Sequence, residues 1–195
     1  MIEEPEYLRH IQRRIESLEK EVHTLLTGID ELTLEFGCGH GHYLTAYAEA
    51  HPQEECLGLD LVTKRIEKAN AKVEKRNLTY VRFLKAEAAE FLSVFPESTQ
   101  ITKVFMLFPD PWPKKRHFKN RMIQSSFLSV LAEKCPKGAQ FFFRTDHSGY
   151  FDWTKEHFQE HDDWEIDPDA AWPFEQTSYF QDMMDSWQSL IAKRV

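Results

Sequence analysis

The chain has 195 residues, is 42% apolar and carries a net charge of −8, which is enough apolar content for one sizeable core, and no Gly-, Ser- or Pro-rich stretch divides it. No apolar run approaches the roughly 18 residues of a membrane helix, and the charged start MIEEPEYLRHIQRR lacks a signal peptide's apolar segment, so the expectation is a cytoplasmic protein without a membrane partner. Cys38, Cys56 and Cys135 are odd in number and form no CxxC pair, which argues against a disulfide framework and a structural zinc site; no metal is expected.

In chain order, Leu8, Ile11, Ile15, Leu18 and Val22 recur at spacings of three and four, which predicts an amphipathic lead-in helix within the first 27 residues. Short β-prone runs follow: Leu32 to Phe36, Cys56 to Asp60, Thr79 to Leu84, Ile101 to Leu107 and Gln140 to Thr145. Between them, Thr63 to Arg76 (Ile66, Ala69, Val73) and Arg121 to Lys134 (Met122, Ile123, Phe127, Val130, Leu131) have helical period. Strands alternating with helices imply right-handed crossovers, so the predicted fold class is α/β, a doubly wound, mostly parallel sheet with helices on both faces. We expect one domain over 1–195, with 1–30 as lead-in segment and 31–195 as core. Ligands in such sheets sit beyond the carboxyl ends of the strands.

At the first such end stands "LEFGCGHG", residues 34–41, where Gly37, Gly39 and Gly41 allow backbone to approach a ligand closely. The dinucleotide fingerprint GxGxxG would need glycine at position 42, which is His42; the pattern is GxGxG, preceded by Glu35. Asp60 ends the second strand, placed to accept ribose hydroxyl hydrogens, and Glu87 after the third strand is placed to meet an adenine edge. Two acids near the turn disfavour a phosphate and favour a ligand carrying sulfonium and ammonium charges, so the expected cofactor is S-adenosylmethionine, bound by Glu35, Gly37, Gly39, Asp60 and Glu87.

The fourth strand runs into "FPDPWPKKRHFKNR", residues 108–121. Pro109, Pro111 and Pro113 fix their own φ and push Phe108, Asp110 and Trp112 out of the α region, so the loop is stiff and holds Asp110 at the carboxyl edge as a candidate reaction centre. The stretch from Lys114 to Arg121 then carries +5, leaving −13 on the remainder. Such segregation, with Trp112 and Phe118 as flanking aromatics, points to phosphates and bases as partners for the basic run.

Together "LEFGCGHG", "GLD" (58–60), the proline corner and "RTD" (144–146) resemble bacterial tRNA (guanine-N7)-methyltransferases, over nearly all of the chain after residue 30. The resemblance implies a Rossmann-like class I methyltransferase fold and methyl transfer to N7 of a guanine, position 46 of the tRNA variable loop. It places Glu35, Asp60, Glu87 and Asp110 on cofactor positions, Asp110 also on the active-site position, and Lys114 and Asp146 on substrate contacts. The family's Thr-x-Tyr/Phe-Glu segment reads "WPFE" here: Phe174 and Glu175 match, and Trp172 replaces the threonine. The tail after it lacks the expected glycine and basic character, and "EHDDWEIDPD" (160–169) is acidic, read as a solvated face. On this reading Lys114 and Arg116 hold phosphate or base oxygens, and Asp146 with Glu175 accepts guanine hydrogens. The alternatives are a methyltransferase of the same fold with another acceptor and a non-catalytic RNA-binding protein. Oligomeric state is not legible.

Overall fold

The computed structural model describes residues 6–175 and 186–195; residues 1–5 of the lead-in segment and 176–185 of the tail lie outside that range. Among the described residues seven strands form one sheet in the order β3-β2-β1-β4-β5-β7-β6. The first five, β1 (Glu31–Phe36), β2 (Cys56–Asp60), β3 (Val81–Lys85), β4 (Gln100–Leu107) and β5 (Gln140–Thr145), run parallel and coincide with the five predicted runs to within two residues at either end. Two strands were not anticipated. β6 (Trp164–Ile166) lies inside the acidic stretch that reads as a solvated face, and β7 (Gln188–Arg194) pairs antiparallel with both β5 and β6.

Because crossovers cover both faces, the strands alternate between two apolar clusters instead of between core and water. Leu32, Leu34 and Phe36 of β1, with Val104 and Met106 of β4 and Phe141 and Phe143 of β5, face one side. There they meet α1 (Glu6–Leu25), α4 (Ala88–Ser93), α5 (Ser125–Ala132) and α6 (Ser148–Gln159). Cys56, Phe83, Phe105 and Phe142 face the other side, under α2 (His42–Ala50) and α3 (Thr63–Arg76).

The lead-in helix is anchored by Leu18 and Val22, buried in its C-terminal half, and by Arg14 near its middle, which pairs with Glu90 on α4. Its N-terminal half leaves Tyr7, Leu8 and Ile11 exposed. All three cysteines are buried free thiols. Among the described residues no helix is long and apolar enough to cross a membrane.

Candidate active site

Parallel strands put the carboxyl ends of β1 to β5 on one edge, and the sheet's order reverses between β1 and β4. Glu35, Gly37, Gly39, Asp60, Glu87, Asp110 and Asp146 therefore share that edge, the place where open α/β sheets bind ligands.

The glycine turn is built for close approach. Gly37, Gly39 and Gly41 have φ of 73°, 56° and 67°, the left-handed region that L side chains rarely adopt. They are not equivalent. A Cβ on Gly37 or Gly39 would meet nothing within 4 Å, whereas one on Gly41 would lie 2.5 Å from Phe83 Cζ and 2.9 Å from Ala69 Cβ. Gly41 thus serves packing, and Gly37 and Gly39 leave open space at the crevice.

Asp60, 6% exposed, accepts from the Gly39 N–H at 3.0 Å and the Val62 N–H at 2.8 Å, and pairs with Arg65 at 3.4 Å. One carboxylate so ties the end of β2 to the glycine turn. The turn is held from its other side by Lys72 of α3, whose Nζ donates to the His40 carbonyl at 2.7 Å and lies 3.1 Å from His42 Nδ1. Burial lowers the Lys72 pKa, and the same desolvation, helped by Lys72, lowers that of His42. No local pattern marks Lys72 in the sequence, since its role depends on α3 folding back over the turn.

Glu35 is 3% exposed, and its Oε2 has no hydrogen-bond partner among the described residues. Burial pushes its carboxyl up to about 8 against a backbone hydrogen bond from Leu44, and the Asp60 charge pushes the same way. An orphaned buried carboxyl beside a glycine turn with open space fits a cationic ligand group, which would restore the missing partner. Glu87 stands where expected, but its Oε2 accepts from the Glu90 N–H at 3.0 Å, capping α4.

After β4 the chain makes the proline corner. Phe108 has φ 51° and Trp112 φ 45°, both left-handed at bulky residues, and both precede proline. Each such conformation costs on the order of 1–2 kcal/mol and persists only where the surroundings impose it. The corner is held at one end by the Phe108 N–H, which donates to the Arg144 carbonyl on β5 at 2.8 Å. Asp110 is exposed at its apex. Beneath lies Tyr150 of α6, whose phenol burial pushes up to about 12, with the Asp110 charge adding to that shift.

The basic run forms a 3-10 helix, Lys115–Asn120, with Lys114, Lys115, Arg116 and Lys119 exposed. Arg121 departs from the expectation. It is 2% exposed, its guanidinium 3.8 Å from the Phe118 ring centroid, because the chain turns inward after the 3-10 helix. The surface available to phosphates therefore carries four cations from this run, not five.

On the β5 side, Arg144 stacks on Trp172 with its Cζ 3.7 Å from the ring centroid and forks onto both Glu175 oxygens at 2.7 and 3.0 Å. The Arg144 hydrogen bonds hold the Glu175 pKa down. Glu175, predicted to accept base hydrogens, has both oxygens engaged by a protein cation here. Phe174, predicted as a substrate contact, sets its ring about 6 Å from the rings of Tyr43, Tyr47 and His51 along α2, at 6.0, 5.9 and 5.9 Å between centroids. Asp146 is exposed beside the start of α6. The cavity at the opposite, amino edge of the sheet is lined by Glu54, whose carboxylate already accepts from Thr33, Tyr47 and Lys103.

A family model described as "Putative methyltransferase" matches residues 30–186. A tRNA (guanine-N(7)-)-methyltransferase of Rhodopseudomonas palustris (strain BisA53) is 32% identical over 154 residues, covering 79% of this chain and 59% of that protein. One of Syntrophotalea carbinolica is 36% identical over 119 residues, covering 61% and 51%. The chain thus spans 51–59% of the length of these two curated relatives. Among solved structures, the 16S rRNA methyltransferase KamB superposes with a TM-score of 0.63 at 17% identity, covering 90% of this chain and 93% of that one. TrmN from Thermus thermophilus gives 0.60 at 14% identity, covering 91% and 48%. At such identities the likeness concerns the fold alone.

Proposed function

This chain belongs to that methyltransferase family, and from this premise we propose that it transfers a methyl group from S-adenosylmethionine to N7 of a guanine in tRNA. The observation that carries the reading is the strained corner presenting Asp110 at the sheet edge it shares with the glycine turn, continued by an exposed basic helix. The names of the relatives support the same substrate. Guanine 46 of the variable loop is the proposed target, a tRNA substrate places the protein in the cytoplasm, and residues 31–195 act as one catalytic core.

When bound, S-adenosylmethionine supplies a methyl carbon on a sulfonium; guanine N7 attacks it with its own lone pair, the carbon–sulfur bond breaks and its electrons stay on sulfur. Since N7 has no proton to lose, the chain need not provide a strong base. Glu35 would hold the cationic end of the cofactor, and Gly37 and Gly39 would let it approach the backbone of the turn. Asp60 keeps lone pairs for ribose hydroxyls while it fixes the turn. Asp110 stabilises positive charge as it moves from sulfur to the purine ring, and its rigid corner orients base against methyl. Lys114 and Arg116 hold phosphate oxygens, and Asp146 accepts hydrogens from the guanine edge.

Glu175 joins Asp146 once a base displaces Arg144. The Arg144–Trp172–Glu175 contact also favours a second reading, an acceptor other than this guanine, because it occupies the group that would meet the base edge. Labelled methyl transfer to unmodified total tRNA, with the product mapped for N7-methylguanine, separates the two. Label in another nucleotide supports the second reading, and label in none, with cofactor bound, removes tRNA methylation.

A further inference from the structure

Three prolines deprive the segment 108–113 of three backbone donors, so the corner has to be held largely through its acceptors. The Pro111 carbonyl, midway between Asp110 and the strained Trp112, is one such acceptor, and its partner is Arg121: Nε donates to it at 2.9 Å. The same guanidinium donates through a terminal nitrogen to the Gly149 carbonyl in the first turn of α6 at 3.1 Å. Its faces are enclosed by Phe118, Tyr150 and Trp153, with centroids 3.8, 4.9 and 5.2 Å from Cζ.

None of the ion pairs among the described residues involves Arg121, and burial lowers its pKa. A cation held this way is costly as a stability device, because aromatic faces and carbonyls replace its hydration without a counter-charge. What the arrangement does provide is a planar, two-ended tie between a strained loop and a helix, which a lysine ammonium cannot reproduce.

We propose that Arg121 is the positioning residue of the site: by clamping the Pro111 carbonyl to the start of α6 it keeps the corner in its left-handed geometry and Asp110 in its reactive place. The proposal rests on the reading of Asp110 as the reaction centre. Released from the clamp, the Pro111–Trp112 peptide can rotate, Trp112 returns to negative φ, and the Asp110 carboxylate moves with it. The glycine turn, which follows β1, is not touched.

The test compares wild type with Arg121→Lys, and with Phe118→Leu as a milder variant that removes an aromatic face while leaving both hydrogen bonds. We expect Arg121→Lys to lower kcat for tRNA methylation by about 10- to 100-fold, with KM for tRNA and Kd for S-adenosylmethionine within about twofold of wild type. Amide exchange should quicken in peptides covering 108–121 and stay unchanged in those covering 35–42. A kcat within about twofold of wild type, or a fall shared equally by cofactor affinity and melting temperature, overturns the proposal. If Arg121→Lys does not fold, Phe118→Leu decides by the same split, a lower kcat at constant KM and Kd supporting the clamp and an unchanged kcat overturning it. Wild type that transfers no methyl to tRNA would fail the functional reading, and exchange would still decide the clamp: unchanged exchange over 108–121 in both variants sinks it.

Discussion

Arg144 lies against the face of Trp172, its Cζ 3.7 Å from the ring centroid, while its two terminal nitrogens hold the Glu175 carboxylate. This joins β5 to the segment 172–175, so the indole, the guanidinium and the carboxylate form one unit. Removing Trp172 should be felt at Glu175. A desolvated cation–π contact contributes about 2 kcal/mol, and contacting groups couple by about 0.5–3 kcal/mol. A double-mutant cycle of Trp172→Ala and Glu175→Gln in denaturant unfolding should therefore show non-additivity in that range. Simple additivity would mean that Trp172 and Glu175 act independently.

The raised pKa of Glu35 fixes a direction for pH effects. Its folded pKa, about 8, exceeds its ordinary value of 4.5. The stability it contributes is thus complete below pH 4.5 and is lost as the pH rises through about 8 in the cofactor-free protein. A cationic cofactor group favours the charged carboxylate, so binding should release a proton. Affinity should rise toward about tenfold per pH unit below pH 8 and flatten above it. Calorimetry across pH 6–9 in buffers of different ionisation enthalpy reads both quantities, and Glu35→Gln should bind more weakly with the slope removed.

Two glycines of one turn should fail differently. Gly41→Ala meets Phe83 and Ala69 as well as a φ of 67°, and should destabilise by about 2–4 kcal/mol. Gly39→Ala meets no atom within 4 Å and carries only the cost of its φ, about 1 kcal/mol. It should remain folded and lose cofactor affinity, because its methyl enters the space left for the ligand. Melting temperature and cofactor Kd, measured on both variants, separate the two effects.

Salt dependence should count the exposed cations. With Lys114, Lys115, Arg116 and Lys119 available and Arg121 buried, the log–log slope of tRNA affinity from this run should be no steeper than about −3 to −3.6. Lys115→Gln should reduce the slope by about 0.7–0.9, and Arg121→Lys should leave it unchanged. A steeper slope would implicate cations outside the run.

The five parallel strands were legible because each is a compact apolar run bounded by turns, as in QFFFRT, and the α3 pattern gave Thr63–Arg76 to the residue. β6 and β7 were not. Three residues of β6 sit among acids, and β7 takes its place from register with β5, Ile191 opposite Phe142, which has no local signature. The glycine turn and the proline corner could be read because Gly and Pro restrict backbone directly. Charges could not, since a run of Lys and Arg does not reveal which way each side chain points: Arg121 turns into an aromatic cage, Glu87 caps its own helix, and Arg144 holds Glu175.

Asp110, fixed at the corner, is proposed to serve transfer to guanine N7, and the decisive measurement is turnover of Asp110→Ala on unmodified tRNA. The wild type should yield N7-methylguanine, and the variant should lose about 10²-fold or more in kcat, with S-adenosylmethionine still bound through Glu35, Asp60 and the glycine turn and the melting temperature unchanged. Near-wild-type turnover by Asp110→Ala with intact cofactor binding would overturn that role.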